Sequence, residues 1–118
     1  MAGGWSNTVG ALDSAEIFDP TSASFIPTTG AMGTAREALT ASPIPGDRVL
    51  VAGGSDSSLA TLQTAEVFDY ATGTFSPTGP MNVARYMPAS APLPDGRVLV
   101  AGGYLNGDYL SSAEIYFP

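Results

Sequence analysis

One phrase occurs three times along this 118-residue chain, and its period limits the fold more than any composition does. A pair of glycines is followed roughly ten residues later by Ala-Glu, an aliphatic residue and an aromatic one. The pairs are Gly3 and Gly4, Gly53 and Gly54, and Gly102 and Gly103; the second half reads AEIF at 15–18, AEVF at 65–68 and AEIY at 113–116. The glycines step by 50 and 49, and Glu16, Glu66 and Glu114 by 50 and 48. A period near 49 belongs to stacked units, none of which covers its own apolar face without a neighbour.

The repetition extends across the unit. Met32, Ala35 and Arg36 return as Met81, Ala84 and Arg85; Pro43 and Pro45 return as Pro92 and Pro94; the run RVLVAGG from Arg48 returns from Arg97, all at an offset of 49. Phe25 and Pro27 return as Phe75 and Pro77 at an offset of 50. The chain thus divides into a partial unit over 1–36, a complete one over 37–85 and a second partial one over 86–118, and residues 2–20 duplicate 101–118.

Four strands are expected in each unit. The segment from Met87 to Leu93 leads through the turn Pro94-Asp95-Gly96 into Val98–Ala101, a hairpin. The VLVA run is continuous rather than alternating, the mark of a strand covered on both faces. In the middle unit a loop from Ser55 to Leu62 precedes a third strand over Thr64 to Asp69, and a turn to Gly73 opens a fourth at Thr74. Abundant glycine and proline, 14 and 10, with much Ser, Thr and Ala suit short strands broken by turns. The expected class is all-β, with four-stranded antiparallel sheets.

These residues resemble the kelch family of β-propellers, in its bacterial, galactose-oxidase-like variety. The resemblance rests on VLVAGG at 49–54 and 98–103, the aromatic and Asp that close the third strand (Phe18-Asp19, Phe68-Asp69), an aromatic opening the fourth, and Met-x-x-Ala-Arg leading into the next unit. It departs from the family at Phe25 and Phe75, where Trp is usual, and at Tyr116-Phe117-Pro118, where Asp is expected. It implies propeller blades, about two and a half of them, in a family whose rings hold six or seven. The copper site of galactose-oxidase-like propellers uses histidine and tyrosine, and this chain has no histidine.

Composition narrows function mainly by exclusion. Without Cys or His there is no disulfide, thiolate chemistry or imidazole-held metal. A net charge of −7 with no lysine repels phosphate backbones, so nucleic acid is not an expected partner. No apolar run has the length of a membrane span and no charged leader with an apolar stretch opens the chain, so no membrane partner is expected and no compartment follows, although the resemblance admits an extracellular bacterial parent.

Most recurring residues read as framework. Gly53, Gly54, Gly102 and Gly103 suit positive φ or a close backbone approach. Arg36 and Arg85 repeat, as do Glu16, Glu66 and Glu114, and strand alternation places Glu66 on the side of Phe68. A half-buried carboxylate there needs a cation, so Arg36 or Arg85 is expected to pair with a third-strand glutamate of its own or the adjacent blade. Aromatics that do not repeat are better binding candidates: Trp5, Tyr86, Tyr104 and Tyr109. Asp13, Asp56 and Asp108, with Asn7 and Asn106, offer hard oxygens for calcium, but their spacing matches no ion-binding loop and the solvated-turn reading is preferred.

The loops after the glycine doublets differ most between units: WSNTVGALDS, SDSSLATLQT and YLNGDYLSS. Variation on a repeated frame is what a binding surface needs. The expected function is a non-enzymatic module that recognises a protein or a carbohydrate, with no cofactor; the alternative is a structural part of a larger extracellular propeller enzyme. Incomplete units also predict self-assembly. The strands of 87–103 complete a blade with 14–28 of the next copy, so three chains give a six-bladed ring, with two copies making four or five blades and four making eight as alternatives, and residues 112–117 compete with 14–19 for one slot.

Overall fold

The computed structural model describes all 118 residues, and every regular element in it is a β-strand. In chain order these are β1 (Trp5–Ser6), β2 (Gly10–Ala11), β3 (Glu16–Asp19), β4 (Ser24–Pro27), β5 (Thr40–Ile44), β6 (Arg48–Ala52), β7 (Ala65–Asp69), β8 (Thr74–Thr78), β9 (Ala89–Pro92), β10 (Val98–Ala101), β11 (Tyr104–Leu105), β12 (Asp108–Tyr109) and β13 (Ala113–Tyr116).

Three antiparallel sheets follow the three units. The middle one is the four-stranded meander β5-β6-β7-β8, with Val49 opposite Phe68 and Val51 opposite Glu66. The first holds only β3 and β4, and the third runs β9-β10-β13. Their registers superpose: Glu16 faces Pro27 as Glu66 faces Pro77, and Val100 faces Glu114 as Val51 faces Glu66. The duplicated segment 112–117 therefore pairs inside its own chain, β13 lying on β10 with Val98 opposite Tyr116.

Alternation gives each sheet two faces. On the middle sheet Leu50, Ala52 and Ala65 point one way and form the core with Ile44, Val98 and Val100, with Val67, Met81 and Tyr116 packed around it. Val49, Val51, Phe68 and Phe75 point the other way, toward the first sheet, across an open cleft of about 920 Å³. A two-stranded sheet covers only part of a four-stranded neighbour, so Ala41, Pro43, Val49 and Val51 line that cleft. Leu50, Val51 and Ala52 are buried in succession at 2%, 1% and 1% exposure, as a strand covered on both faces must be. In the third unit the same sequence alternates: Val98 and Val100 are buried, Leu99 and Ala101 only half-buried.

Two local expectations are corrected. The first strand of the third unit begins at Ala89 rather than Met87 and ends at Pro92. Met87 turns at φ 53°, where it joins the preceding linker to the sheet. The loops after the first and third glycine doublets are not plain loops: β1 pairs with β2, and β11 with β12. Asn106 and Gly107 both take positive φ, 51° and 99°, the two central positions of a type I′ hairpin turn, and Asn-Gly is the pair that favours it.

Candidate functional site

The linkers between units carry the most elaborate polar geometry in the chain. The segment from Met32 to Arg36 leaves the first sheet and sends the Arg36 guanidinium into the second. There Nη1 donates to the Gly53 and Thr64 carbonyls, each at 3.0 Å, and Nη2 to Thr64 Oγ1 at 3.2 Å and Glu66 Oε2 at 3.0 Å. The Glu66 carboxylate also accepts the backbone N–H groups of Gly33 and Thr34, at 2.6 and 3.2 Å. Arg36 is fully buried and the Glu66 side chain is 5% exposed. The next linker repeats the arrangement with small differences: Arg85 donates to the carbonyls of Gly102 and Ser112, to Ser112 Oγ and to Glu114, while the amides of Asn82 and Val83 donate to the same carboxylate; here Nε also reaches Glu114, at 3.2 Å, whereas Arg36 Nε is buried without a partner. Each linker is thus a staple from one sheet to the next.

Burial pushes the Glu114 carboxyl upward, but the Asn82 amide, the Arg85 guanidinium and the Val83 amide outweigh it and hold the group below its ordinary value. Glu16, the third member of the set, is exposed and has no guanidinium against it. At the far end of the third sheet Asp95 and Arg97 pair at 2.6 Å; their mutual hydrogen bond lowers the carboxyl and raises the guanidinium, and Arg97 also lies over the Phe117 ring.

The glycine doublets sit where the staples arrive. A Cβ on Gly53 would stand 2.6 Å from the Arg85 carbonyl, on Gly103 2.8 Å from that of Tyr86, and on Gly54 would overlap the Glu37 carbonyl. Gly102 is the exception, with nothing nearer than the Leu110 carbonyl at 3.7 Å.

The three variable loops emerge beside one another at the same end of the sheets. Ala11 N–H donates to Ser57 Oγ at 3.0 Å, joining the first loop to the second. Ser55 exchanges backbone hydrogen bonds with Glu37, and Tyr104 with Tyr86, tying the loops to the linkers. Among the candidates, Tyr104 and Tyr109 meet edge to face across the β11–β12 hairpin at 5.5 Å, with Tyr109 90% exposed. Trp5 projects from β1, 45% exposed, with Asn7 in the turn beyond it. Tyr86 is half-buried in the linker. Asp56 is committed to its own loop, accepting from the Ser58 and Ala60 amides at 2.8 and 3.0 Å. Asn106 serves the hairpin turn and Asp108 is exposed on β12. No three acidic side chains come together to hold a metal ion. Sequence reading missed Val9, Leu59 and Met87, exposed apolar residues at this end; nothing in their immediate sequence marks them, since burial there is decided by the neighbouring loop.

A search of curated proteins finds no match. The family model described as Kelch motif matches residues 38–82, which span the four-stranded sheet and the start of the linker that leaves it.

Proposed function

We propose that this chain is a non-enzymatic, kelch-type recognition module that binds a protein or carbohydrate through its loop end and closes into a ring with further copies of itself. The observation that supports recognition is the set of rigid, non-repeating aromatics on two-residue hairpins: Trp5 on β1, and the Tyr104–Tyr109 pair. Aromatic faces held by short hairpins lose little conformational freedom on binding and suit both sugar rings and apolar peptide side chains. Screening the chain against an oligosaccharide array and a displayed peptide library tests this. Binders are expected to be lost in Trp5→Ala/Tyr109→Ala and kept in Leu99→Asp, which alters the opposite surface of the third sheet; binding indifferent to the aromatic pair refutes the reading.

Ring closure is supported by the cleft beside β3. The strands β9 and β10 of a second copy fit it as β5 and β6 fit beside β7. Three chains of 12.0 kDa then make six sheets. A species of one chain's mass at micromolar concentration refutes closure.

A further inference from the structure

The chain has three repeated glutamates, and two of them, Glu66 and Glu114, hold a staple arginine. The acceptor set that holds each guanidinium is a glycine carbonyl, the carbonyl and hydroxyl of a Ser or Thr, and a glutamate: Gly53, Thr64 and Glu66 for Arg36; Gly102, Ser112 and Glu114 for Arg85. Gly3, Ser14 and Glu16 form the same set with the same backbone. Gly3 N–H donates to the Ser14 carbonyl at 3.0 Å, as Gly53 does to Thr64 and Gly102 to Ser112, each at 3.1 Å. Gly3, Gly53 and Gly102 share φ values of 67°, 69° and 67°. Ala2 faces Ala15 as Ala52 faces Ala65. Yet no donor reaches Ser14 Oγ or the Glu16 carboxylate within the chain, and the remaining arginines, Arg48 and Arg97, lie at the opposite ends of their strands.

We propose that Glu16 accepts Arg85 of a second copy, and that Arg85 exchanges Glu114 of its own chain for it. The inference rests on the ring reading and names its junction. When β3 of one copy replaces β13 on β10 of another, Val100 faces Glu16 in place of Glu114, and Arg85 finds Ser14 where Ser112 stood, with Gly102 unchanged. Three features favour the exchange over the pairing inside one chain. The incoming strand brings β4 with it, giving a fourth strand where β13 has none. It places Asp19 opposite Arg97, the counterpart of Asp69 opposite Arg48, where the tail of the chain offers Phe117. It also carries the uncovered side of the third sheet, Leu99 and Ala101 among it, into the cleft against Val49 and Val51. Met1 and Ala2, which hydrogen-bond along part of the β3 edge, give way to Val100 and Ala101. Two arginines per chain then serve two blades per chain, and the displaced strand leaves with its own glutamate.

Glu16→Gln and Glu114→Gln, compared by analytical ultracentrifugation, test the exchange. Glu16 is exposed in the isolated chain, so its variant keeps the fold. Glu16→Gln is expected to weaken assembly at least about tenfold, the loss of a charge-assisted contact, and Glu114→Gln to leave assembly unchanged or strengthen it. As a second arm, Val98→Cys/Phe18→Cys is expected to oxidise to covalent multimers that a reductant disperses, and Val98→Cys/Tyr116→Cys to assemble without forming a disulfide. Assembly that tolerates Glu16→Gln but fails in Glu114→Gln, or cross-links forming only within one chain, overturns the exchange while the ring stands. A single-chain mass for the wild type overturns both.

Discussion

Replacing Arg36 by Met is the most direct test of how the sheets are held together. The side chain is fully buried and makes four hydrogen bonds, to Gly53, twice to Thr64 and to Glu66. Its loss leaves a carboxylate at 5% exposure without its cation. Removing one member of a buried ion pair costs about 3–5 kcal/mol. The lower end applies, since Glu66 keeps the Gly33 and Thr34 amides. Glu66→Gln forfeits one charge-assisted bond while the guanidinium keeps its two carbonyls and the Thr64 hydroxyl, so about 2 kcal/mol is expected. The double variant has no stranded charge, and its cost should fall short of the sum by about 1–2 kcal/mol. A domain of this size is stable by about 5–15 kcal/mol in all, so Arg36→Met removes a large part of the margin. Urea unfolding followed by circular dichroism and by Trp5 fluorescence, at fixed chain concentration because assembly shifts apparent stability, measures all four corners of the cycle. A loss under about 1 kcal/mol for Arg36→Met, or corners that add within about 0.5 kcal/mol, would refute the stapling argument.

The glycine doublets give a paired contrast in thermal melts. Gly54→Ala drives a methyl into the Glu37 carbonyl at φ 89° and is expected to cost more than about 4 kcal/mol. Gly102→Ala meets only the Leu110 carbonyl, at van der Waals distance, at φ 67° and should cost only the left-handed penalty of about 1–2 kcal/mol; equal costs would mean that sheet contact does not set the requirement. Acid should separate Glu114 from the background. Its folded pKa lies below the ordinary 4.5, so its contribution is complete above pH 4.5 and is lost as pH falls through the folded value. In dilute single chains the urea midpoint is expected to fall below that pH with a shallower slope in Glu114→Gln, and parallel profiles would contradict the assignment.

The repeat made much of the frame readable. Its register carries the pairing of Glu16, Glu66 and Glu114 strand by strand, and alternation placed Glu66 beside Phe68, on the side where the Arg36 staple arrives. The β11–β12 hairpin was legible but unused: Asn106-Gly107 is a type I′ turn signal, whereas the reading above treats the segment only as a solvated loop with candidate binding residues. The start of β9 was not, since Met87 is apolar and continuous with the strand in sequence, and only its linker geometry excludes it. The exposure of Leu59 and Val9 was unreadable for a similar reason: it depends on which loop lies alongside, and the loops are where the units differ.

The heptapeptide RVLVAGG shows where local sequence stops and stacking begins. It stands at 48–54 and again at 97–103, yet Leu50 is 2% exposed while Leu99, at the same place in the unit, is only half-buried. The strands are alike in pairing, each lying between two antiparallel neighbours. What differs is the next sheet: Leu50 packs on Val98 and Val100, and nothing of this chain lies over Leu99. On the ring reading proposed above, a second copy supplies the cover that Leu99 lacks in the single chain. Ile115, 43% exposed beside Leu99, adds to the uncovered area, and the cleft lined by Val49 and Val51 is the complementary surface at the other end of the chain. The two surfaces lie on opposite outer sides of the stack and face away from each other, so one copy cannot join them. A head-to-tail contact between copies can, and because that contact is heterologous it closes only at the copy number that completes the turn. Leu99→Asp, on the surface that the isolated chain leaves half-buried, therefore separates assembly from folding: the mass should fall to one chain while the unfolding midpoint of dilute protein stays in place.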